Sequence, residues 1–264
     1  SPLDRSSAAS DVYKRQAMDA AAAGHPEGIV AGEEDAAEPA QVTEHDTTAP
    51  HPTDWLGDRG PTTRFILLRH GQTDMSAAKQ YSGRANPGLT QLGQKQALAA
   101  AQALADAHFD AIVCSPLRRC QETAAAVANG RDIEVETVEG LIEVDFGAWE
   151  GKTAAEAHQR DPELHEQWLH DASVACPGGE SLQEVNRRVR TTRKELQERF
   201  AGKTVLVVSH VNPIKSFIRQ ALDAGPATFG HLFLDLAAIS QVEFWEGGSM
   251  VHGFNDVGHL AGLR

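Results

Sequence analysis

Two short apolar runs, each leading into a histidine, constrain the fold of this chain more than any other feature. Phe65–Leu68 is followed by Arg69-His70, and Val205–Val208 is followed one residue later by His210. A run of four apolar residues bounded by polar residues or glycine predicts a buried strand. Parallel α/β sheets place their ligand sites at the carboxyl ends of strands. If the two strands are neighbours, both imidazoles are expected at one edge of the sheet.

The rest of the sequence alternates between predicted strands and predicted helices. Thr90 is a candidate N-cap, and Ser181 with Glu184 forms a candidate capping box. A Gly247-Gly248 turn is expected to join the last two strands. We predict an α/β fold, a three-layer α/β/α sandwich with a mostly parallel sheet. The predicted strands are 64–69, 111–114, 133–138, 205–208, 239–245 and 250–254, and the predicted helices are 90–106, 118–128, 153–170, 181–200 and one from about 212.

Charge and composition divide the chain into two parts. Residues 1–62 contain 12 acidic and 4 basic side chains, a net charge of −8, and are rich in Ala, Pro and Thr. This composition predicts a disordered leader or linker, and 1–16 is interpreted as foreign sequence. Residues 63–264 contain 25 acidic and 20 basic side chains, a net charge of −5. Neither part has the basic excess expected of a nucleic-acid-binding surface.

Cysteine use and hydropathy predict the compartment. The three cysteines are Cys114, Cys120 and Cys176. An odd count without a Cys-x-x-Cys pair argues against a disulfide framework, which favours a reducing compartment. No apolar stretch approaches the ~20 residues of a membrane span. We therefore expect a cytoplasmic protein that does not bind membranes.

Two further segments bring chemically useful side chains to the same predicted edge. The strand 111–114 is followed by Ser115 and then by Arg118 and Arg119, and Glu143 lies in an apolar-flanked loop. Two histidines, two arginines and a glutamate suit phosphoryl transfer. Asp145, two residues after Glu143, is the alternative candidate for a proton donor.

Each side chain in this set has a chemical task. Arginine forks bind phosphate oxygens and disfavour protonation of nearby imidazoles, which keeps His70 nucleophilic. Arg69, Arg119 and His210 could stabilise the charge on the transferred phosphoryl group. Glu143 could protonate the leaving group if its surroundings are apolar enough, and could then activate water. No metal or cofactor is required.

These residues resemble the histidine phosphatase superfamily, also called the phosphoglycerate mutase-like family, over about residues 63–264. Arg69-His70-Gly71-Gln72-Thr73 is similar to the defining motif, and Ser115–Thr123 is similar to the second motif. The resemblance implies a phosphoglycerate mutase-like fold and a phosphohistidine intermediate. It implies that His70 is the nucleophile, that Arg69, Arg119 and His210 bind phosphate, that Glu143 is the proton donor, and that Tyr81-Ser82-Gly83 borders the substrate.

A narrower resemblance points to the phosphatase branch. Pro177–Ser181 resembles a loop frequent in that branch, including the α-ribazole phosphatases, and Ser76 stands where mutases often carry Asn. Asn212–Lys215 and the linker before Arg64 resemble the phosphatase half of actinobacterial bifunctional ribonuclease H/acid phosphatases. In that case a ribonuclease H domain is expected upstream and is absent here.

The sequence-based hypothesis is therefore a metal-independent phosphomonoester hydrolase of the acid phosphatase type. Its expected partner is a small phosphorylated substrate, for which α-ribazole 5′-phosphate is a suggestion by resemblance. One alternative is a phosphoglycerate-type mutase. Another is a non-catalytic domain that binds a phosphorylated ligand, against which the combination of His70, His210 and Glu143 argues, because binding needs no proton donor.

Overall fold

A six-stranded sheet covered by helices on both faces organises the molecule. The computed structural model describes Gly57 and residues 59–263, so that most of the predicted leader lies outside the described residues. The strands are β1 (Thr63–Arg69), β2 (Ala111–Cys114), β3 (Val135–Thr137), β4 (Thr204–Ser209), β5 (Ile239–Trp245) and β6 (Gly248–Asp256). The helices are α1 (Asp74–Ala77), α2 (Gln91–Ala103), α3 (Arg118–Ala128), α4 (Ala154–Arg160), α5 (Pro162–His170), α6 (Leu182–Arg199), α7 (Val211–Ala221) and α8 (Thr228–His231).

The sheet order explains how the two histidine strands become neighbours. The order is β3-β2-β4-β1-β5-β6, in which β3, β2, β4 and β1 are parallel and β5 and β6 are antiparallel. Central strands of a parallel sheet are buried on both faces, so their sequences are continuous apolar runs. β1 and β4 show this pattern. The predicted α/β sandwich with a mostly parallel sheet is confirmed.

Alternate residues of the central strands supply two hydrophobic cores. Phe65 and Leu67 of β1 point into a core shared with α6 and α7, whereas Ile66 and Leu68 point into a core shared with α2 and α3. Side chains of a strand alternate between faces, so one apolar run serves both layers. The three layers hold the carboxyl ends of the parallel strands rigidly in place.

Several boundaries differ from the sequence prediction. The helix expected over 153–170 is two helices, because Pro162 lacks an N–H and begins the second one after Asp161. The helix from Thr90 ends at Ala103, and the strand expected over 133–138 is three residues long. Gly248 already belongs to β6, so Glu246 and Gly247 form the hairpin turn. The Thr90 cap and the capping box at Ser181 are confirmed.

Three 3₁₀ turns within the described residues carry no strong sequence signal, and two of them flank the loop that contains Glu143. The 3₁₀ turns Glu139–Leu141 and Gly147–Trp149 stand before and after Glu143. The loop between them is therefore ordered by contacts with other elements rather than by its own backbone periodicity.

Candidate active site

Strand register brings the two histidines together. Arg69 of β1 pairs with Ser209 of β4, so that His70 and His210 both leave the sheet at the same edge. Their ring centroids are 5.1 Å apart and the ring planes are inclined by 62°. The convergence expected from the two apolar runs is present in the structure.

His70 is held as a neutral imidazole with one free nitrogen. Its side chain is 6% exposed, and Nδ1 lies 2.8 Å from the carbonyl oxygen of Gly71. A carbonyl only accepts, so Nδ1 carries the proton and Nε2 carries the lone pair. Burial lowers the pKa of His70 well below its usual value, and the positive charges of Arg119 and Arg69 lower it further. The lone pair on Nε2 is therefore free to act as a nucleophile.

His210 has the opposite tautomer. Nε of Arg119 donates to Nδ1 of His210 at 3.2 Å, which leaves the proton on Nε2, 2.7 Å from Oγ of Ser115. Burial lowers the pKa of His210 well below its usual value, with further contributions from Arg119 and His70. His210 is therefore neutral and fixed between a donor and an acceptor.

Of the two adjacent arginines, Arg119 is the buried one. Its Nη1 donates to the carbonyl of Ala85 at 2.7 Å, and its Nη2 donates to those of Ser82 and Gly83 at 3.0 Å each. Burial lowers the pKa of Arg119, and the guanidinium remains a cation beside both imidazoles. Arg118 is 65% exposed and pairs with Glu122. The choice of Arg119 from the sequence agrees with this placement.

Arg69 has one buried donor without a partner among the described residues. Nη1 donates to the carbonyl of Leu234 at 2.5 Å, while Nε is buried and has no hydrogen-bond partner within the described part of the chain. Burial lowers the pKa of Arg69 to about 10, against the opposing effect of Glu143 and Asp235. The group is still protonated near neutral pH. A buried donor left unpaired is costly, and a phosphoryl oxygen would satisfy it.

Glu143 is buried near both arginines. Its Oε1 accepts from the backbone N–H of Val144 at 2.8 Å, and from N and Nδ2 of Asn212 at 3.3 and 3.1 Å. Instead of the purely apolar surroundings that the sequence suggested, N–H donors orient this carboxyl through one oxygen. The rival Asp145 is 38% exposed and accepts from Gly147 N–H in a local turn.

The chain is similar to known proteins of one family. The model of the histidine phosphatase superfamily, branch 1, matches residues 65–257 of the chain. The chain belongs to the histidine phosphatase superfamily. The match spans the β1 motif, the α3 motif, the Glu143 loop and the end of β4, so the geometry described above lies entirely within it.

The relatives of this histidine phosphatase include a bifunctional protein and two proteins named as phosphatases. It is 49% identical over 226 residues to the bifunctional protein Rv2228c of Mycobacterium tuberculosis, covering 85% of the chain and 62% of that protein. It is 32% identical to phosphoserine phosphatase 1 of Hydrogenobacter thermophilus, covering 75% and 94%. The structure of the α-ribazole phosphatase from Shigella flexneri superposes with a TM-score of 0.67 at 30% identity, covering 73% and 96%. The chain thus spans less than two thirds of its mycobacterial relative.

The loop predicted to border the substrate contributes through its backbone. The carboxylate of Glu150 accepts from the N–H groups of Gly83, Arg84 and Ala85 at 2.9 to 3.2 Å, which turns the carbonyls of this loop toward Arg119. A Cβ at Gly83 would lie 2.2 Å from the carbonyl oxygen of Val144, so only glycine fits. Oγ of Ser82 is buried without a hydrogen-bond partner among the described residues.

Two supporting residues had no sequence signal. Arg188 of α6 donates to the carbonyls of Gly140, Ile142 and Glu143 at 2.7 to 3.0 Å and pairs with Glu180. Glu150 and Arg188 both form hydrogen bonds with backbone groups that are distant in the sequence. Such contacts leave no recognisable motif of residue types. Thr123, which lies in the second motif, accepts from Gly71 N–H and donates to the carbonyl of Arg119.

Other groups near the site have structural roles. Cys120 Sγ lies 3.4 Å from the carbonyl oxygen of Ser209, and burial raises the pKa of its thiol well above the usual value. It fills space as a neutral group. Within residues 59–263, no three His, Cys, Asp or Glu side chains are grouped so that they could hold a metal ion. No helix in that range is long and apolar enough to cross a bilayer.

Proposed function

We propose that the domain hydrolyses small phosphomonoesters, in the manner of an acid phosphatase, through a phosphohistidine formed on His70. The observation that supports this most directly is the environment of one atom. Nε2 of His70 carries a lone pair in a buried site, beside the cations of Arg69 and Arg119. A neutral nucleophile next to fixed positive charges is what attack on a phosphate dianion needs.

In the first step, Nε2 of His70 attacks phosphorus and the bond from phosphorus to the ester oxygen breaks. The unpaired Nε of Arg69 and the remaining N–H of Arg119 Nη1 stabilise the equatorial oxygens. Glu143 in its protonated form gives a proton to the leaving oxygen. His210 is expected from the sequence to bind the phosphoryl group directly. Because Arg119 and Ser115 engage both of its ring nitrogens, it contributes instead by holding the Arg119 guanidinium through Nδ1.

In the second step, Glu143 takes a proton from water, whose oxygen attacks the phosphorus of phosphohistidine. The P–N bond breaks, phosphate leaves, and His70 recovers its lone pair on Nε2. Asn212 keeps the carboxyl in one orientation during both steps through its two N–H donors to Oε1. Each side chain thus ends the cycle in its starting state.

The substrate proposal is confined to a class. Relatives include a phosphoserine phosphatase and α-ribazole phosphatases, and we propose a small phosphorylated metabolite, with α-ribazole 5′-phosphate and phosphoserine as the first compounds to test. A fused ribonuclease H domain upstream and a cytoplasmic location remain predictions. The location is supported by Cys114, Cys120 and Cys176, which are buried and free of disulfides.

Replacement of His70 tests the mechanism. We expect His70→Ala to lower kcat for p-nitrophenyl phosphate by at least about 10³-fold, because the nucleophile is lost. The control is His170→Ala, which removes an exposed histidine and should leave kcat within twofold. Rapid quenching in alkali should trap acid-labile phosphate on the wild-type chain only.

Three outcomes contradict parts of this proposal. Near-normal turnover by His70→Ala removes His70 as the nucleophile. Isomerised phosphoester in place of free phosphate shows a mutase. Tight binding of phosphoesters with neither turnover nor trapped phosphate shows a non-catalytic binding domain.

A further inference from the structure

A second concave surface lies at the far end of helix α7 from the catalytic histidines. Two adjoining depressions of about 290 and 200 Å³ share Arg190 and Arg219 and form one groove between α6 and the end of α7. Arg219 is nine residues after His210, which corresponds to about 13 Å along a helix. We call this surface the arginine groove.

The groove follows one face of α6. Its α6 residues stand at positions 183, 186, 187, 190, 193 and 194, which is the spacing of a single helical face. The core-facing positions Val185, Val189 and Leu196 are buried elsewhere on the helix. At 1.5 Å per residue, this face is about 16 Å long.

The charges in the groove are almost all positive. Asp223 is the one acidic side chain among its lining residues, and it makes no ion pair with the cations there. Within the described residues, Arg190 has no hydrogen bond or ion pair through its side chain. The positive side chains are Arg187, Arg190, Arg193, Lys194 and Arg219.

Arginines elsewhere on the same helix are used differently. Arg188 binds Glu180 and three carbonyl groups, and Arg199 binds Glu136. Both therefore have a partner of opposite charge in the protein. Asp223 is the only carboxylate that lines the groove, and Glu184, outside the lining, interacts with Arg187 at one end.

Arg193 of the arginine groove is held in one position by its neighbours. Arg193 is 8% exposed, and its Nε and Nη1 donate to Gln220 and Gln197 at 2.8 and 2.5 Å. Its guanidinium carbon lies 4.1 Å from the ring centroid of Phe244. Nη2 has no hydrogen-bond partner in the described part of the chain. Burial, with a smaller contribution from Arg190, lowers the pKa of Arg193 to about 10, so it stays charged.

Like charges held close together raise the free energy of the folded protein unless an anion neutralises them. We propose that the arginine groove binds a small anion that carries several phosphate groups, such as an oligophosphate or a bisphosphorylated metabolite. Guanidinium forks suit phosphate oxygens, and a face about 16 Å long accommodates more than one phosphate. The net charge of −5 on residues 63–264 disfavours the binding of long polyanions, which would extend beyond the groove.

Calorimetric titration with inorganic tripolyphosphate tests the proposal. The full chain is saturated with orthovanadate to occupy the catalytic site and is titrated in 0.15 M salt. We expect binding in the micromolar range. Arg190→Gln should weaken the binding of tripolyphosphate by about five-fold, because it removes a charge-assisted contact. The double variant Arg190→Gln/Arg219→Gln removes two such contacts and should weaken binding by at least about thirty-fold.

The matched control removes a positive charge from the same helix outside the groove. Arg199→Gln should change the affinity less than twofold, and all variants are compared by melting temperature to exclude unfolding. No binding by the wild-type chain, or equal binding by the double variant, overturns the proposal. A single-stranded oligonucleotide that binds more tightly than tripolyphosphate at equal phosphate concentration overturns the choice of a small ligand.

Discussion

The two active-site imidazoles differ in the nitrogen that carries the proton, and their neighbours cause the difference. Gly71 offers a carbonyl to Nδ1 of His70, whereas Arg119 offers an N–H to Nδ1 of His210. The lone pair therefore lies on Nε2 in His70, where it is unused, and on Nδ1 in His210, where it accepts from Arg119. Two buried histidines consequently have different chemistry, and of the two only His70 keeps an unused lone pair.

Removal of the Ser115 hydroxyl tests how much this arrangement matters. Ser115→Ala leaves Nε2–H of His210 buried without its acceptor at 2.7 Å, at a cost of about 1–3 kcal/mol. His210 can then turn its ring, which releases Arg119 Nε. We expect kcat to fall by roughly tenfold or more while KM changes little, measured with p-nitrophenyl phosphate.

A buried serine distant from the catalytic residues in the sequence provides the comparison. Ser240 of β5 is 1% exposed and accepts from Asn255 N–H. Ser240→Ala should lower stability in a similar way but keep kcat within twofold. If Ser115→Ala also keeps kcat within twofold of the wild type, the tautomer of His210 has no part in catalysis.

At the scale of elements, the site combines rigid strand ends with a loop that another helix holds in place. The ends of β1 and β4 are fixed by parallel pairing of Arg69 with Ser209. The loop that carries Glu143 has no pairing of that kind, and Arg188 of α6 satisfies three of its carbonyls. The position of the proposed acid therefore depends on α6.

Arg188→Met removes this connection while it keeps the aliphatic stem. Three carbonyls lose this donor and Glu180 loses one of its two arginine partners, so we expect the free energy of unfolding to fall by about 2–4 kcal/mol. We also expect a loss of kcat of tenfold or more, because the Glu143 carboxyl is displaced. Urea denaturation and steady-state kinetics measure the two effects.

Arg199→Met is the control on the same helix. Arg199 and Glu136 form an exposed pair, and such pairs contribute about 0–1 kcal/mol. A result in which both variants lose the same stability and neither loses kcat would show that Arg188 has no special relation to Glu143.

The sequence predicts the parts of the site that depend on local pattern. The apolar runs before His70 and His210 predict central strands, and parallel pairing then brings both rings together. The boundary between α4 and α5 at Asp161-Pro162 also has a local signal, because proline favours the start of a helix. The sequence-based prediction nevertheless places one helix over 153–170.

Contacts between distant segments could not be predicted in this way. Arg188 and Glu150 bind backbone groups 45 to 67 residues away, and backbone groups are the same in every residue type. The choice between Glu143 and Asp145 depends on which way an irregular loop turns. In the structure, Asn212 on α7 donates two hydrogen bonds to the buried Glu143, whereas Asp145 is 38% exposed.

Across the whole molecule, the site makes stability depend on pH. His70 and His210 are neutral in the folded chain, and burial lowers the pKa of both well below 6.5. Above pH 6.5 both the folded and the unfolded chain leave them neutral. Below pH 6.5 the unfolded chain takes up two protons that the folded chain does not, so acid favours unfolding.

This linkage predicts a loss of stability well above the range in which carboxylates titrate. Between pH 7 and 5.5, the two histidines together should lower the free energy of unfolding by about 2.5 kcal/mol, since each contributes up to about 1.4 kcal/mol per pH unit. His70→Asn should lose about 1.25 kcal/mol less than the wild type over the same interval. His108→Asn removes an exposed histidine and should follow the wild type. Urea denaturation at several pH values measures each slope, and a His70→Asn slope equal to that of the wild type would show that His70 is protonated in the folded chain.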